Sequence, residues 1–154
     1  MISICILLII FIAGVDLAGK WYVESHLKKG ETIPCGKDKV VIRKVHNKGM
    51  MLNWMDKRPE LVKVLSFVVT IVVLIYHMFL FRKPGFAKEK VGTALIAGGA
   101  ISNTFDRIRR GYVVDYIGFN CKWKKASKVT YNLGDFAIFV GAALVLIENI
   151  FKKN

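Results

Sequence analysis

Long apolar runs, rather than strand-like alternation or a single helical stripe, dominate this chain. Residues 2–19 (ISICILLIIFIAGVDLAG) and 61–81 (LVKVLSFVVTIVVLIYHMFLF) are apolar at almost every position. Residues 90–108 and 133–151 are apolar over similar lengths but carry polar side chains inside them. A hydrocarbon core about 30 Å thick takes roughly 20 residues of helix to cross. The pattern therefore predicts four transmembrane helices, at about 2–19, 61–81, 90–108 and 133–151. The first has no basic segment before its apolar core and no small-x-small site after it, so it is expected to be retained as a span.

Two connections are long enough to hold structure. Within 20–60, the stretch VVIRKV at 40–45 is rich in β-branched residues and partly alternates, which predicts a short strand, and the IPCGKDK before it reads as a turn. Within 109–132, GYVVDYIGF predicts a second extended segment, followed by the basic run KWKKASK. Residues 82–88 form a tight basic loop, and no internal repeat or low-complexity tract is present. The expected fold class is an all-α membrane protein, a single domain over 1–154, with a small β-rich patch from the first loop lying on the membrane surface.

Composition sharpens this picture. The chain of 154 residues is 54% hydrophobic with a mean hydropathy of +0.41, too apolar for an ordinary soluble domain and incompatible with disorder. Its net charge of +13 would suggest nucleic acid in a soluble protein. Beside these apolar runs, the expected partner is an anionic phospholipid surface, and no nucleic acid. Of the 24 Lys and Arg, only Arg82, Lys83, Lys88, Lys90, Lys152 and Lys153 lie on the side of the termini. The positive-inside rule would therefore put the 20–60 and 109–132 loops in the cytoplasm. Cys5, Cys35 and Cys121 have neither metal spacing nor a disulfide framework, and His26, His46 and His77 lack companions for a metal site. His77 reads as interfacial packing, and Trp21, Trp54 and Trp123 as interfacial anchors.

Ionisable groups at membrane depth carry the candidate chemistry, because each is costly to keep there. Asp16 and Lys20 are one helical turn apart and read most simply as an ion pair at the interface. Asn103, Asp106 and Arg107 share one helix face, and the last two fit an exit into the headgroups. Asn103 must find partners, since a buried amide in lipid is costly unpaired. Asp115 is flanked by large apolar residues on both sides, unlike a solvated loop acid. Asn132 and Asp135 lie three apart where the fourth span begins, with no basic residue within a turn of Asp135. Asp115 is its natural partner. Two adjacent carboxylates in a low-dielectric site share a proton, which suits general acid–base attack by water, as in an aspartic protease. The same pair would also serve a proton- or cation-coupled transporter, and spacing leaves both readings open.

The string GGAISNTFDRIRRGYVVDYI at 98–117, followed by YNLGDFAI at 131–138, resembles the lipoprotein signal peptidase (signal peptidase II) family. Members of that family carry a GGA-GN--DR---G-VVDF block and then FN-AD at the next span. The resemblance runs over essentially the whole chain: an Asp-x-x-x-Lys ending the first span matches Asp16 and Lys20, and an Asn-x-Gly in the first loop matches Asn47 and Gly49. Ser102 stands where the family has Gly, Gly134 where it has Ala, and Gly19 where it has Thr or Ser. The family's Gly-Ala-Ala-Phe after the loop Asn is replaced by Gly49, Met50, Met51 and Leu52 behind Lys48.

The resemblance implies an intramembrane aspartyl endopeptidase that removes the signal peptide from prolipoproteins by cutting before the cysteine bearing diacylglycerol. It implies Asp115 and Asp135 as the catalytic acids, with no metal and no cofactor. Asp16, Lys20, Asn47, Gly49, Asn103, Asp106, Arg107 and Asn132 are the implied substrate-binding or supporting residues. Among these, Asn47 and Arg107 would hold substrate backbone or headgroup, while Asn103 and Asn132 would orient the acids. It further implies a multi-pass protein of the bacterial cytoplasmic (inner) membrane, with four transmembrane helices and both termini inside. The loops and the β-rich patch would then be extracytoplasmic, against the charge count. Basic outer loops that grip anionic phospholipid would reconcile the two. A monomer is expected, since one chain supplies both acids; a catalytically silent lipoprotein-binding relative is the remaining alternative.

Overall fold

The computed structural model describes residues 1–35, 39–50, 55–120, 127 and 129–151. Four long helices appear in it: α1 (Ile2–His26), α2 (Pro59–Leu80), α3 (Ala87–Arg110) and α4 (Leu133–Phe151). Four short strands, β1 (Thr32–Cys35), β2 (Val40–Asn47), β3 (Val113–Phe119) and β4 (Thr130–Tyr131), form one antiparallel sheet in that order. Trp54, Cys121, Trp123 and most of the basic run after Cys121 lie outside the described residues, and so do the expectations attached to them.

Helices α1, α2 and α4 are long and apolar enough to cross a membrane. Their outward faces are what lipid requires: Leu7, Ile10, Phe11, Val68, Val72 and Val140 are all exposed on the protein surface. Helix α3 differs. It is as long as the others, at 24 residues, but packs against α1, α2 and α4 together, so most of its surface meets protein and carries Gly, Ser, Thr and Asn. Glycines set that closeness. A Cβ on Gly92 would lie 2.6 Å from the carbonyl oxygen of Gly141, and one on Gly99 would lie 2.9 Å from Ile138 and closer still to the carbonyl of Gly134. These two meeting points are seven residues apart on each helix and run in opposite directions, an antiparallel small-residue seam of the kind that lets membrane helices approach.

Several sequence expectations need correction. Helix α1 continues seven residues past position 19, because Val23 and Leu27 at its end pack under the sheet with Val114 and Tyr116. Residues 33–35, read as part of a turn, belong to strand β1. The β patch comes from both loops, two strands from each, not from the first alone. Strand β2 pairs with β3 in the register Val45↔Asp115 and Asn47↔Val113, with a bulge between Ile42 and Val45. Glu24 ties this sheet to α1 by accepting from Tyr112 (3.2 Å) and pairing with His46 (3.0 Å). His77, in the last turn of α2, packs as a buried side chain, with Nδ1 2.7 Å from Thr93 Oγ1 and its ring edge-on to Phe81.

Helix α3 ends at Gly111, whose φ of +78° is the left-handed conformation that glycine adopts without cost, and the chain turns directly into β3. Asp106 secures the turn. Its Oδ2 accepts from the backbone N–H of Val114 (3.0 Å) and its Oδ1 from Arg110 (3.0 Å). This short link sets Asp115, on the central part of the sheet, beside the start of α4.

Candidate active site

The site begins with a helix cap. Asn132 immediately precedes α4, and its side-chain Oδ1 accepts from the backbone N–H of Asp135 (2.9 Å), while Asp135 Oδ2 accepts from the backbone N–H of Asn132 (3.2 Å). This reciprocal exchange is a capping box, which satisfies donors that a helix N-terminus otherwise leaves unpaired. It also fixes the Asn132 amide. With Oδ1 occupied, Nδ2 faces the other way and donates to Asp115 Oδ1 at 2.7 Å. One fully buried asparagine therefore joins the two acids.

Two more asparagines repeat the arrangement. Asn47 Oδ1 accepts from the N–H of Gly49 (3.0 Å), which leaves Nδ2 to donate to Asp115 Oδ2 (3.0 Å). Asn103 Oδ1 accepts from the Lys20 ammonium (2.7 Å), which can only donate, so Nδ2 is left to reach Asp135 Oδ1 (2.9 Å). Each amide is oriented by a donor on its oxygen, and each presents N–H to a carboxylate. Such donors stabilise a carboxylate's charge. Burial opposes them, and together with the adjacent Asp135 charge it pushes Asp115 up to about 7. The Asn amides and Lys20 pull in the opposite direction more weakly.

Beneath the acids, Asp16 and Lys20 form an ion pair at 2.7 Å, with both side chains wholly buried. The expectation of an interfacial pair is corrected here. The spacing is as read, but the sheet and α3 cover it, and Lys20 also donates to Ser102 (2.9 Å). Asp106 is likewise buried, 3.9 Å from Lys20, rather than marking an exit to headgroups. Arg107 turns the other way. Its Nη2 donates to the backbone carbonyl of Gly49 at 2.9 Å, tying the segment after β2 down beside the acids.

All ten residues singled out in the sequence thus lie in one connected cluster. Two participants were missed. Ser102 Oγ donates to Asp16 Oδ2 (2.5 Å), and Tyr116 Oη donates to Asp16 Oδ1 (3.0 Å). Ser102 was visible only as a departure from a motif and Tyr116 only as an apolar flank of Asp115; a polar atom on each was the available signal. Among the described residues, no three His, Cys, Asp or Glu side chains are placed to hold a metal ion.

Asp115 and Asp135 face a cavity of about 140 Å³, whose other polar walls are Asn47, Asn103, Arg107, Thr130 and Tyr131. Val113, Val129, Ile138 and Phe139 supply its apolar walls. A second cavity of about 200 Å³, between α2 and α3, shares Met50, Asn103, Arg107 and Ile138 with the first. The arrangement pairs a buried acid, Asp115, and a half-buried one, Asp135, with oriented donors at the mouth of an apolar groove, which suits proton-transfer chemistry on a substrate with apolar parts.

Comparison with known proteins places the chain in a family. The family model described as signal peptidase (SPase) II matches residues 8–151. The lipoprotein signal peptidase of Halothermothrix orenii is 35% identical over 147 residues, covering 96% of this chain and 93% of that protein. That of Fusobacterium nucleatum is 32% identical, covering 98% and 87%, and that of Brucella ovis is 30% identical, covering 87% and 81%. Two bacterial membrane enzymes solved by the in meso method share the fold. One has a TM-score of 0.86 at 23% identity, covering 100% of this chain and 92% of that one; the other has 0.77 at 24%, covering 96% and 92%. With the match running nearly end to end, the chain belongs to the signal peptidase II family, and is a membrane-embedded peptidase.

Proposed function

We propose that this protein is an aspartyl endopeptidase that removes the signal peptide from diacylglyceryl-modified prolipoproteins, cutting just before the lipidated cysteine. The observation that supports it most directly is the joining of Asp115 and Asp135 through Asn132 at the wall of one cavity. At neutral pH the pair shares one proton. The ionised acid takes a proton from water as it attacks the scissile carbonyl, and the protonated acid donates to the oxygen that gains charge. Collapse of the tetrahedral intermediate then returns a proton to the amine of the cysteine. No covalent enzyme intermediate is needed.

In this reading α3 is the fourth span, and the sheet with both active acids faces outward from the bacterial cytoplasmic membrane. The protein acts as a monomer. Asn47 and Arg107 hold substrate backbone or headgroup, the groove between α2 and α3 takes apolar chains, and the basic outer loops rest on anionic phospholipid. Membrane anchoring of the substrate lipid supplies much of the orientation that an encounter in solution would lack.

The test is cleavage by purified protein in detergent, read by gel shift and product mass. A diacylglyceryl prolipoprotein is expected to yield a product beginning at the lipidated cysteine. Equal cleavage of the unlipidated precursor, or a product beginning elsewhere, would contradict the reading.

A further inference from the structure

The Asp16 carboxylate lies outside the acid pair, yet the Lys20 ammonium and the hydroxyls of Ser102 and Tyr116 all converge on it. Ser102 and Tyr116 each donate a hydroxyl to it, on opposite oxygens. Gly19 and Gly134 make room. A Cβ at position 134 would sit 2.8 Å from Asp16 Oδ2, and one at position 19 would sit 2.9 Å from Tyr116 Oη.

The cluster leads to the acids by two routes. Through Lys20, which Asp16 and Ser102 hold, it fixes the oxygen of Asn103 and thereby the N–H that reaches Asp135. Through Tyr116, whose oxygen also accepts from the backbone N–H of Leu133 (3.3 Å), it ties the residue next to Asp115 to the first turn of the helix bearing Asp135. A tyrosine buried against a carboxylate stays a neutral donor, since burial and the Asp16 charge both raise its pKa.

We propose that Tyr116 and Ser102 are positioning residues for the aspartate pair, acting through Asp16 and Lys20, with Gly19 and Gly134 as the space that permits them. The inference rests on the peptidase reading. It makes the Asp16 cluster the support that sets how Asp115 and Asp135 face each other.

The test measures kcat and KM on purified diacylglyceryl prolipoprotein, with thermal unfolding in detergent alongside. Tyr116→Phe keeps the ring and is expected to lower kcat roughly 3- to 10-fold, the worth of one hydrogen bond, with KM unchanged. Ser102→Ala is expected to do the same, and the double variant to lose less than the product of the two. Gly19→Ala is expected to lower kcat in the parent and to lower it less in Tyr116→Phe, where the hydroxyl 2.9 Å from the added methyl is gone and only the ring carbon at 3.1 Å remains. Parental kcat in both single variants, a rise in KM alone, or fully multiplicative losses would overturn the proposal. Cleavage that survives in Asp135→Asn would overturn the aspartyl reading of the site, and this inference with it; loss there with parental kcat in Tyr116→Phe would overturn this inference alone.

Discussion

Lys20 holds Asn103 by its amide oxygen at 2.7 Å, and so decides which end of that amide meets Asp135. The same ammonium is the partner of two wholly buried acids, Asp16 at 2.7 Å and Asp106 at 3.9 Å. Removing one member of a buried charge group leaves the others uncompensated, at a cost of about 3–5 kcal/mol. Lys20→Met is therefore expected to lower the melting temperature sharply and abolish cleavage. Adding Asp16→Asn should recover part of the stability, because it removes one stranded charge. Thermal unfolding of the single and double variants in one detergent checks this; a double variant less stable than Lys20→Met would contradict it.

Asn132 makes the bonds that join α4 to both acids, and it is fully buried. Asn132→Ala removes the cap oxygen from the Asp135 N–H and the amide from Asp115. Loss of the cap costs about 1 kcal/mol, and a stranded buried partner about 1–3 kcal/mol more. Expected are a lower melting temperature and a fall in kcat of at least 10-fold, the equivalent of about 1.4 kcal/mol. Asn132→Asp keeps the cap oxygen but sets a third carboxylate against Asp115, so it should retain more helix stability than Ala and less activity.

Asp115 also dictates a pH dependence of stability. Its carboxyl is raised to about 7 by burial first and by the Asp135 charge second. An unfolded chain releases that proton near pH 4. Between about pH 4 and 7 the folded protein therefore holds a proton that the unfolded chain has lost, and stability falls as pH rises through that window. This contribution is complete below about pH 4 and gone above about pH 7. Asp115→Asn, a neutral isostere, should flatten that part of the melting profile, so that the variant gains on the parent as pH rises. Parallel profiles from pH 4 to 8 would contradict the assignment.

The seam between α3 and α4 gives a purely steric prediction. A methyl on Gly99 would collide with the backbone carbonyl of Gly134 and with Ile138, forcing the helix that carries Asp135 away from α3. Gly99→Ala is expected to cost more than about 1 kcal/mol, as overpacking at a tight contact does, and to reduce cleavage. Gly14→Ala is the control. Nothing lies within 4 Å of its added methyl, so stability and activity should match the parent.

How much of the fold was legible in the sequence depends on how each signal arises. Helix α2 reads within two residues of its ends because lipid contact demands apolar side chains all round. Helix α3 is only partly visible to hydropathy, since three protein neighbours replace the lipid. Strand β1 is four residues long and exposed at every position, so it leaves no alternation to find. Spacing revealed that Asp16 and Lys20 pair and that Asn132 and Asp135 share a face, but depth depends on packing from remote parts of the chain. That is why the Asp16 pair read as interfacial, and why Tyr116 passed as an apolar neighbour.

The central claim is that Asp115 and Asp135 act as one unit, and initial cleavage rates for Asp115→Asn, Asp135→Asn and the double variant test it most directly. Each single variant is expected to fall to the background rate of the double while all three keep their melting transitions, because groups that work together lose their effect together. Substantial cleavage by either single variant, or a double variant much slower than both, would contradict it.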